Sequence, residues 1–308
     1  MHPRNRHQGR YDLVKLGEVQ SELKRRLIRN PAGELTIDFA DPVAVKTLNQ
    51  ALLKLYYGIE FWEVPEGYLS PPIPGRADYI HGVADVLSDL NEGRIPSGDQ
   101  IKGIDIGVGA NGIYPLIGRG EYGWSFLGTD IDPVALESVK LTSERNKLLP
   151  GSIQVRHQKN PEKIYEGILK LDEFYDFSLS NPPFYPSAEA SRESSERKWR
   201  GLGKKVESGK PLLNFSGHDG ELWCEGGEVE FIRKMIKESV SFKKNILLFT
   251  SLVSRESNLE ALYRALEKVC PEVVETIEMG QGQKKSRFIA WTYHTERERE
   301  EWKRLRWK

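Results

Sequence analysis

Four consecutive residues, Asn181-Pro182-Pro183-Phe184, carry the side chains from which a reaction is most readily built. The exocyclic NH2 of a nucleobase is a poor nucleophile, because its lone pair is delocalised into the ring. A site that uses it must hold both amine hydrogens and aim the nitrogen at an electrophile. The Asn181 side-chain oxygen can accept one hydrogen, and the Pro182 carbonyl, oriented by the fixed proline φ, can accept the other. Phe184 offers a face on which a flipped-out base stacks. Taken alone, the same residues also fit a Pro-Pro turn with an Asn cap and a core phenylalanine, so the surrounding chain has to decide.

The corner needs a strand to hold it, and Tyr175 to Ser180 reads as one, buried and apolar, ended by prolines that can donate to no ladder. Upstream, an apolar strand from Ile101 runs into a glycine-rich turn, Gly107-Val-Gly109-Ala-Asn111-Gly112, with a helix from Ile113 to Ile117. A second strand, Trp124 to Thr129, ends in Asp130. Asp132 as N-cap and Pro133 at N1 start a helix to Leu148. Ile153 to His157 is a third strand, and Asn245 to Ser251, Val273 to Met279 and Arg287 to Tyr293 follow, with helices over Glu228 to Val240 and Leu259 to Val269. Strand alternating with helix predicts an α/β fold with a parallel sheet and ligands at the carboxyl ends of its strands.

Ahead of this sheet, Leu13 to Ile28 and Pro42 to Tyr57 read as two helices of a small N-terminal module, the second capped by Asp41. Phe61 to Pro74 is proline-rich and extended. Arg76 to Leu90 forms a further helix, with Arg76 available to a ligand carboxylate. The expected division is residues 1–75 as a basic arm and helical RNA-binding module, and residues 76–308 as the catalytic domain. The tail from Glu296 to Lys308 alternates in charge as a solvated helix would, without a role.

The glycine turn supports two readings. Gly107, Gly109 and Gly112 match the dinucleotide fingerprint, with Asp130 near the place of a ribose-binding acid, which suggests a nicotinamide enzyme. Against this stands Asp105, a carboxylate two residues before the first glycine, where the dinucleotide motif calls for apolar packing. Apolar-Asp-x-Gly-x-Gly instead resembles motif I of class I S-adenosylmethionine-dependent methyltransferases, in which an acid after the second strand holds the ribose hydroxyls.

The 45 basic and 45 acidic residues cancel, so any affinity for nucleic acid has to come from local patches. Three stand out: the arm with Arg4, Arg6 and Arg10, expected to be mobile; a long loop at about 186–220 with Arg197, Lys198, Arg200, Lys204 and Lys205; and a hairpin with Lys284, Lys285 and Arg287. Cys224 and Cys270 lack the paired spacing of a disulfide framework or zinc site, so no metal is expected. The sequence has no run of 18 apolar residues and its N-terminus lacks a signal-peptide core, so a cytoplasmic protein that does not enter the membrane is expected.

Six blocks together resemble the RlmF family, bacterial adenine-N6 methyltransferases of 23S ribosomal RNA similar to the eukaryotic U6 small nuclear RNA adenine-N6 methyltransferases. They are His2-Pro-Arg-Asn-Arg-His7, Pro74-Gly-Arg-Ala-Asp-Tyr-Ile-His81, Asp105 to Pro115, Asn181 to Phe184, Glu221-Leu-Trp-Cys-Glu-Gly-Gly-Glu228 and Gln281-Gly-Gln-Lys-Lys-Ser-Arg-Phe288, and they span nearly the whole chain. The resemblance implies a Rossmann-like seven-stranded sheet and S-adenosylmethionine contacts near Arg76, Gly107, Asn111, Asp130, Asn160 and Asn181. It also implies amine holding by Asn181 and Pro182, and a monomer acting on 23S ribosomal RNA or a pre-50S particle. Because Asn-Pro-Pro-Phe also occurs in guanine-N2 ribosomal RNA methyltransferases, the four residues alone leave the acceptor base open. A non-catalytic RNA-binding factor on the same scaffold is the alternative of a different class.

Overall fold

The structure, a computed structural model, describes residues 1–190, 192–193, 222–281 and 284–307; for Gln281, Lys284 and Lys285 it describes the backbone alone. Two short helices, α1 (Leu13–Val19) and α2 (Ser21–Lys24), lead into a hairpin of β1 (Leu27–Arg29) and β2 (Leu35–Ile37) and then α3 (Pro42–Tyr57). The single helix expected over Leu13 to Ile28 is therefore two pieces and a strand, broken at Gln20, whose backbone is extended. For α3 the expected cap is present: Val43 N donates to Asp41 Oδ1 at 2.9 Å and Pro42 occupies N1.

The main domain continues through α4 (Ile73–Asp89), β3 (Lys102–Ile106), α5 (Ile113–Tyr122), β4 (Ser125–Asp130), α6 (Pro133–Arg145), β5 (Ile153–His157) and β6 (Tyr175–Ser180). After the undescribed stretch come α7 (Gly227–Ser239), β7 (Ile246–Val253), α8 (Leu259–Glu267), β8 (Val273–Gln281), β9 (Lys284–Thr292) and α9 (Glu296–Arg306). The sheet order is β5-β4-β3-β6-β7-β9-β8. The all-parallel expectation holds from β5 to β7 and fails at β9, which is antiparallel to both neighbours. Gln281 of β8 pairs with Lys284 of β9, so only two positions separate the strands, too few for the crossover that a parallel pair needs.

Every residue of β6 is buried, as a central strand covered on both faces requires. One apolar cluster joins Phe177 and Leu179 to α3, α4, α5 and α6; on the other face Ile104, Ile106 and Phe249 pack with α7 and α8. Leu16, Leu23 and Ile37 belong to the first cluster, so the N-terminal elements share the core of the sheet.

Both ends of the chain are tied down, contrary to expectation. In the arm, Asn5 and His7 are 3% and 2% exposed. Asn5 Nδ2 donates to Asp78 Oδ1 at 2.6 Å and to the Pro74 carbonyl at 2.9 Å, and Arg4 pairs with Asp85 while Arg6 pairs with Glu121. Burial holds His7 and His81 near pKa 4, neutral at physiological pH. The arm therefore packs by burial and by ion pairing with carboxylates far along the chain, instead of waiting for an anion. At the other end, α9 opens with a capping box between Thr295 and Glu298. It buries Trp302, and the Trp302 and Trp307 indoles donate to Asp176 Oδ1 at 2.7 and 2.6 Å. The tail is docked beneath β6. Among the described residues no helix is long and apolar enough to cross a membrane.

Candidate active site

Sheet register brings the three motifs together. Ile106 of β3 lies opposite Thr129 of β4 and Ser180 of β6, so the next residues along, Gly107, Asp130 and Asn181, leave three adjoining strand ends at one point. Here the chain order reverses, from β3 outward to β5 and then back to β6 on the other side. A crevice at that switch point follows from topology.

The turn after β3 is held by the strand beside it. Gly107 N and Val108 N donate to the Thr129 carbonyl at 2.8 and 2.9 Å, and Gly109 N donates to Asp130 Oδ2 at 2.9 Å. Gly107 has φ +73°, and a Cβ built there would meet no atom within 4 Å. A side chain at this point would therefore strain the backbone and project into the space a ligand needs. Asp130 Oδ1 accepts from Asp132 N at 3.0 Å, and burial raises its pKa from the ordinary aspartate value. Each of its oxygens keeps a lone pair for a hydroxyl.

Arg76, Gly107, Gly109, Asn111, Asp130, Asn181, Pro183 and Phe184 all line one cleft of about 1610 Å³. Clefts for a single small ligand run to about 300–1,000 Å³, so this one has room for a cofactor and a base together. Arg76 Nη1 donates to the Tyr114 hydroxyl at 2.6 Å, and no carboxylate among the described residues pairs with it. Tyr114, pushed up to about 12 by burial, stays a neutral phenol. Phe184 is 38% exposed, and Asn181 Oδ1 is buried without a hydrogen-bond partner among the described residues. A guanidinium, a side-chain-free turn and a carboxylate in this order match the carboxylate, backbone and ribose diol of an amino-acid nucleoside, so the residues fit S-adenosylmethionine.

Several expected residues stand elsewhere. Asp105 is 0% exposed and off the cleft wall, because it alternates with Ile104 and Ile106 and faces α4. Neither of its oxygens has a partner, and its pKa is raised well above normal by burial and by the charge of Asp130, with Arg76 opposing. It is a buried neutral acid under the turn and not a surface that touches the cofactor. Asn160 is exposed and off the wall; its Oδ1 caps a turn by accepting from Glu162 N at 3.0 Å, and Gln158 lines the cleft in its place. Asn111 is on the wall, although its Oδ1 accepts from Ile113 N at 3.1 Å to start α5. Pro182 is buried behind Pro183.

Among the basic candidates, Arg287 is 5% exposed and donates to Glu256 at 3.3 Å, so little of it faces solvent. Arg4, Arg6 and Arg10 keep exposed surface but are paired with Asp85, Glu121 and Glu34. The side chains of Lys284 and Lys285 are not described. The loop at about 186–220 lies mostly outside the described residues, and Arg197, Lys198, Arg200, Lys204 and Lys205 lie wholly outside them. Missed were Tyr114, Gln158, Trp223 and Lys234 on the cleft wall. Only Gln158, just past a strand end, carried a positional signal. Among the described residues, no group of three or more His, Cys, Asp or Glu is arranged to hold a metal ion.

The chain matches the model of an RNA methyltransferase family over residues 1–295. It is 50% identical over 307 residues to the Ribosomal RNA large subunit methyltransferase F of Pseudomonas putida (strain W619), covering 99% of this chain and 97% of that protein. The protein of the same name from Yersinia enterocolitica is 50% identical over 307 residues, covering 100% and 92%. Among solved structures, the hMettl16 catalytic domain in complex with MAT2A 3′UTR hairpin 6 superposes with TM-score 0.76 at 29% identity, covering 96% of this chain and 98% of that one. The N-terminal domain of human METTL16 in complex with SAH gives 0.74 at 27% identity, covering 96% and 99%.

Proposed function

This chain belongs to the RNA methyltransferase family, and from that premise we propose that it transfers a methyl group from S-adenosylmethionine to the exocyclic N6 amine of one adenine in 23S ribosomal RNA. The observation that carries the reading is the convergence of Gly107, Asp130 and Asn181 at adjoining strand ends, with Phe184 exposed on the same cleft. The likeness to ribosomal RNA large subunit methyltransferases over the whole chain supports the substrate class.

Bound in the cleft, S-adenosylmethionine supplies a methyl group on a sulfonium, which is already electrophilic. The chain's own work is positional. Arg76 meets the cofactor carboxylate and Asp130 its ribose hydroxyls, while the Gly107 turn lets the backbone approach. Asn181 Oδ1 accepts one amine hydrogen and the Pro182 carbonyl the other, which turns the nitrogen lone pair out of conjugation. Phe184 stacks on the base and excludes water from the far face. The proton released from the amine leaves to water. Residues 1–75, with the exposed parts of Arg4, Arg6 and Arg10, and the basic segments that include Lys284 and Lys285 hold flanking phosphates. The protein works as a monomer in the cytoplasm, on naked 23S ribosomal RNA or a pre-50S particle.

An unmodified 23S transcript incubated with the protein and isotopically labelled S-adenosylmethionine tests this by nucleoside mass analysis. Label in N6-methyladenosine is the expected result. Label in N2-methylguanosine would assign the guanine reading, and no label together with no cofactor binding would leave a scaffold without catalysis.

A further inference from the structure

Six of the chain's tryptophans lie in the described residues, and five place their indole N–H on an acceptor. Trp62 donates to the Asn111 carbonyl at 2.8 Å, Trp124 to the Pro96 carbonyl at 2.8 Å and Trp291 to Ser239 Oγ at 3.2 Å. Trp302 and Trp307 share Asp176. The exception is Trp223, whose Nε1 is buried without a partner among the described residues. A buried indole usually finds an acceptor, because an unsatisfied donor is costly. Trp223 is also the one of the six placed beside the acceptor side of the catalytic cleft, whose wall it forms together with Asn181 and Phe184.

Its position is not accidental. Tyr185, the residue after Phe184, forms a bridge with Trp223; Tyr185 N donates to the Leu222 carbonyl at 3.0 Å, and Cys224 N donates to the Tyr185 carbonyl at 3.1 Å. Backbone bonds thus tie the main chain of Trp223 to the same corner that carries Asn181. The cleft wall then holds two unsatisfied buried groups of opposite kind, an acceptor in Asn181 Oδ1 and a donor in Trp223 Nε1. A planar group presenting an N–H beside a ring nitrogen lone pair would satisfy both.

We propose that Trp223 is a specificity-determining residue, its indole N–H donating to a ring nitrogen next to the amine held by Asn181. This rests on the reading of the acceptor as adenine and deepens it. The adenine amine is flanked on both sides by acceptors, N1 and N7, so a donor beside it is matched whichever edge is presented. The guanine amine has N3 on one side and the N1–H donor on the other, and the second would clash with the indole. Selection for adenine follows from one neutral hydrogen.

The test uses Trp223→Phe, which keeps a ring and removes the donor, on three 23S transcripts carrying adenosine, 7-deazaadenosine or 1-deazaadenosine. Losing the bond costs about 10- to 100-fold in kcat/KM on the adenosine transcript, with cofactor affinity unchanged by calorimetry. The wild type loses a similar factor on one deaza transcript, and the variant shows no further loss on that one. Two results overturn the proposal: equal proportional losses by the variant on all three transcripts, which is a structural effect, or a wild type indifferent to both deaza substitutions, which needs no variant. The adenine reading is checked separately by the wild-type product: N2-methylguanosine there would overturn both, whereas N6-methyladenosine with an indifferent wild type overturns this assignment alone.

Discussion

Replacing Asp130 with Ala removes a group that serves the turn and the ligand at once. Its oxygens accept from Gly109 N at 2.9 Å and Asp132 N at 3.0 Å, which leaves one lone pair on each for the two ribose hydroxyls. Hydrogen bonds to a charged acceptor contribute roughly 1.5–3 kcal/mol each, so two amount to about 3–6 kcal/mol. That corresponds to a dissociation constant raised by roughly 10²- to 10⁴-fold. Asp130→Asn should fall short of this, at about 10- to 100-fold, since its amide keeps one acceptor oxygen but turns an NH2 toward a backbone donor. Calorimetry with S-adenosylmethionine and with its demethylated product should give equal losses, because the contact lies at the ribose and not at the methyl group. Binding should also weaken toward acid pH, at a higher pH than an unperturbed aspartate would give, because burial raises the Asp130 pKa. Asp130→Ala binding within about threefold of the wild type would refute the assignment of this carboxylate to the cofactor.

Asp105 gives a stability prediction with a defined sign. Its folded pKa lies well above the unfolded value, so between the two the native state holds one proton more and stability falls as pH rises, levelling off above the folded pKa. Asp105→Asn removes that slope, and urea melts at several pH values should show the variant gaining on the wild type from about pH 4 upward; parallel curves would mean that Asp105 ionises freely. At the other end of the chain, Trp302→Ala should lower urea stability by about 3–5 kcal/mol, the usual range for emptying a buried tryptophan site. A change below about 1 kcal/mol would mean that the tail is only loosely docked.

Local chemistry made much of this fold legible. Asp41-Pro42 and Asp132-Pro133 announce their helices because cap and N1 residue are adjacent in sequence, and β6 is visible because all its positions but Asp176 are apolar, aromatic or small and two prolines close it. What stayed hidden depended on partners distant in the chain. The arm reads as free because Asp78, Asp85 and Glu121, which pair with it, lie in α4 and α5. The tail reads as solvated because its anchor, Trp302, sits among charges. The direction of β9 has no periodic signature, and β1 and β2 are too short to have one. In the site, Gly107, Asp130 and Asn181 were legible since each stands at a strand end, whereas the turn-capping of the Asn160 side chain and the burial of Arg287 were not, because residue type says nothing of where a side chain points. Trp223 acquires meaning only once its unmet donor and its bridge to Tyr185 are known.

Single-turnover methyl transfer by Asn181→Ala on the unmodified 23S transcript, measured beside its S-adenosylmethionine affinity, asks most directly whether the corner after β6 holds the reacting amine. The amine-holding account expects transfer to fall by at least about 10²-fold, as for removal of one positioned hydrogen-bonding group, while cofactor affinity stays within a few fold. Transfer at a near-normal rate would contradict it.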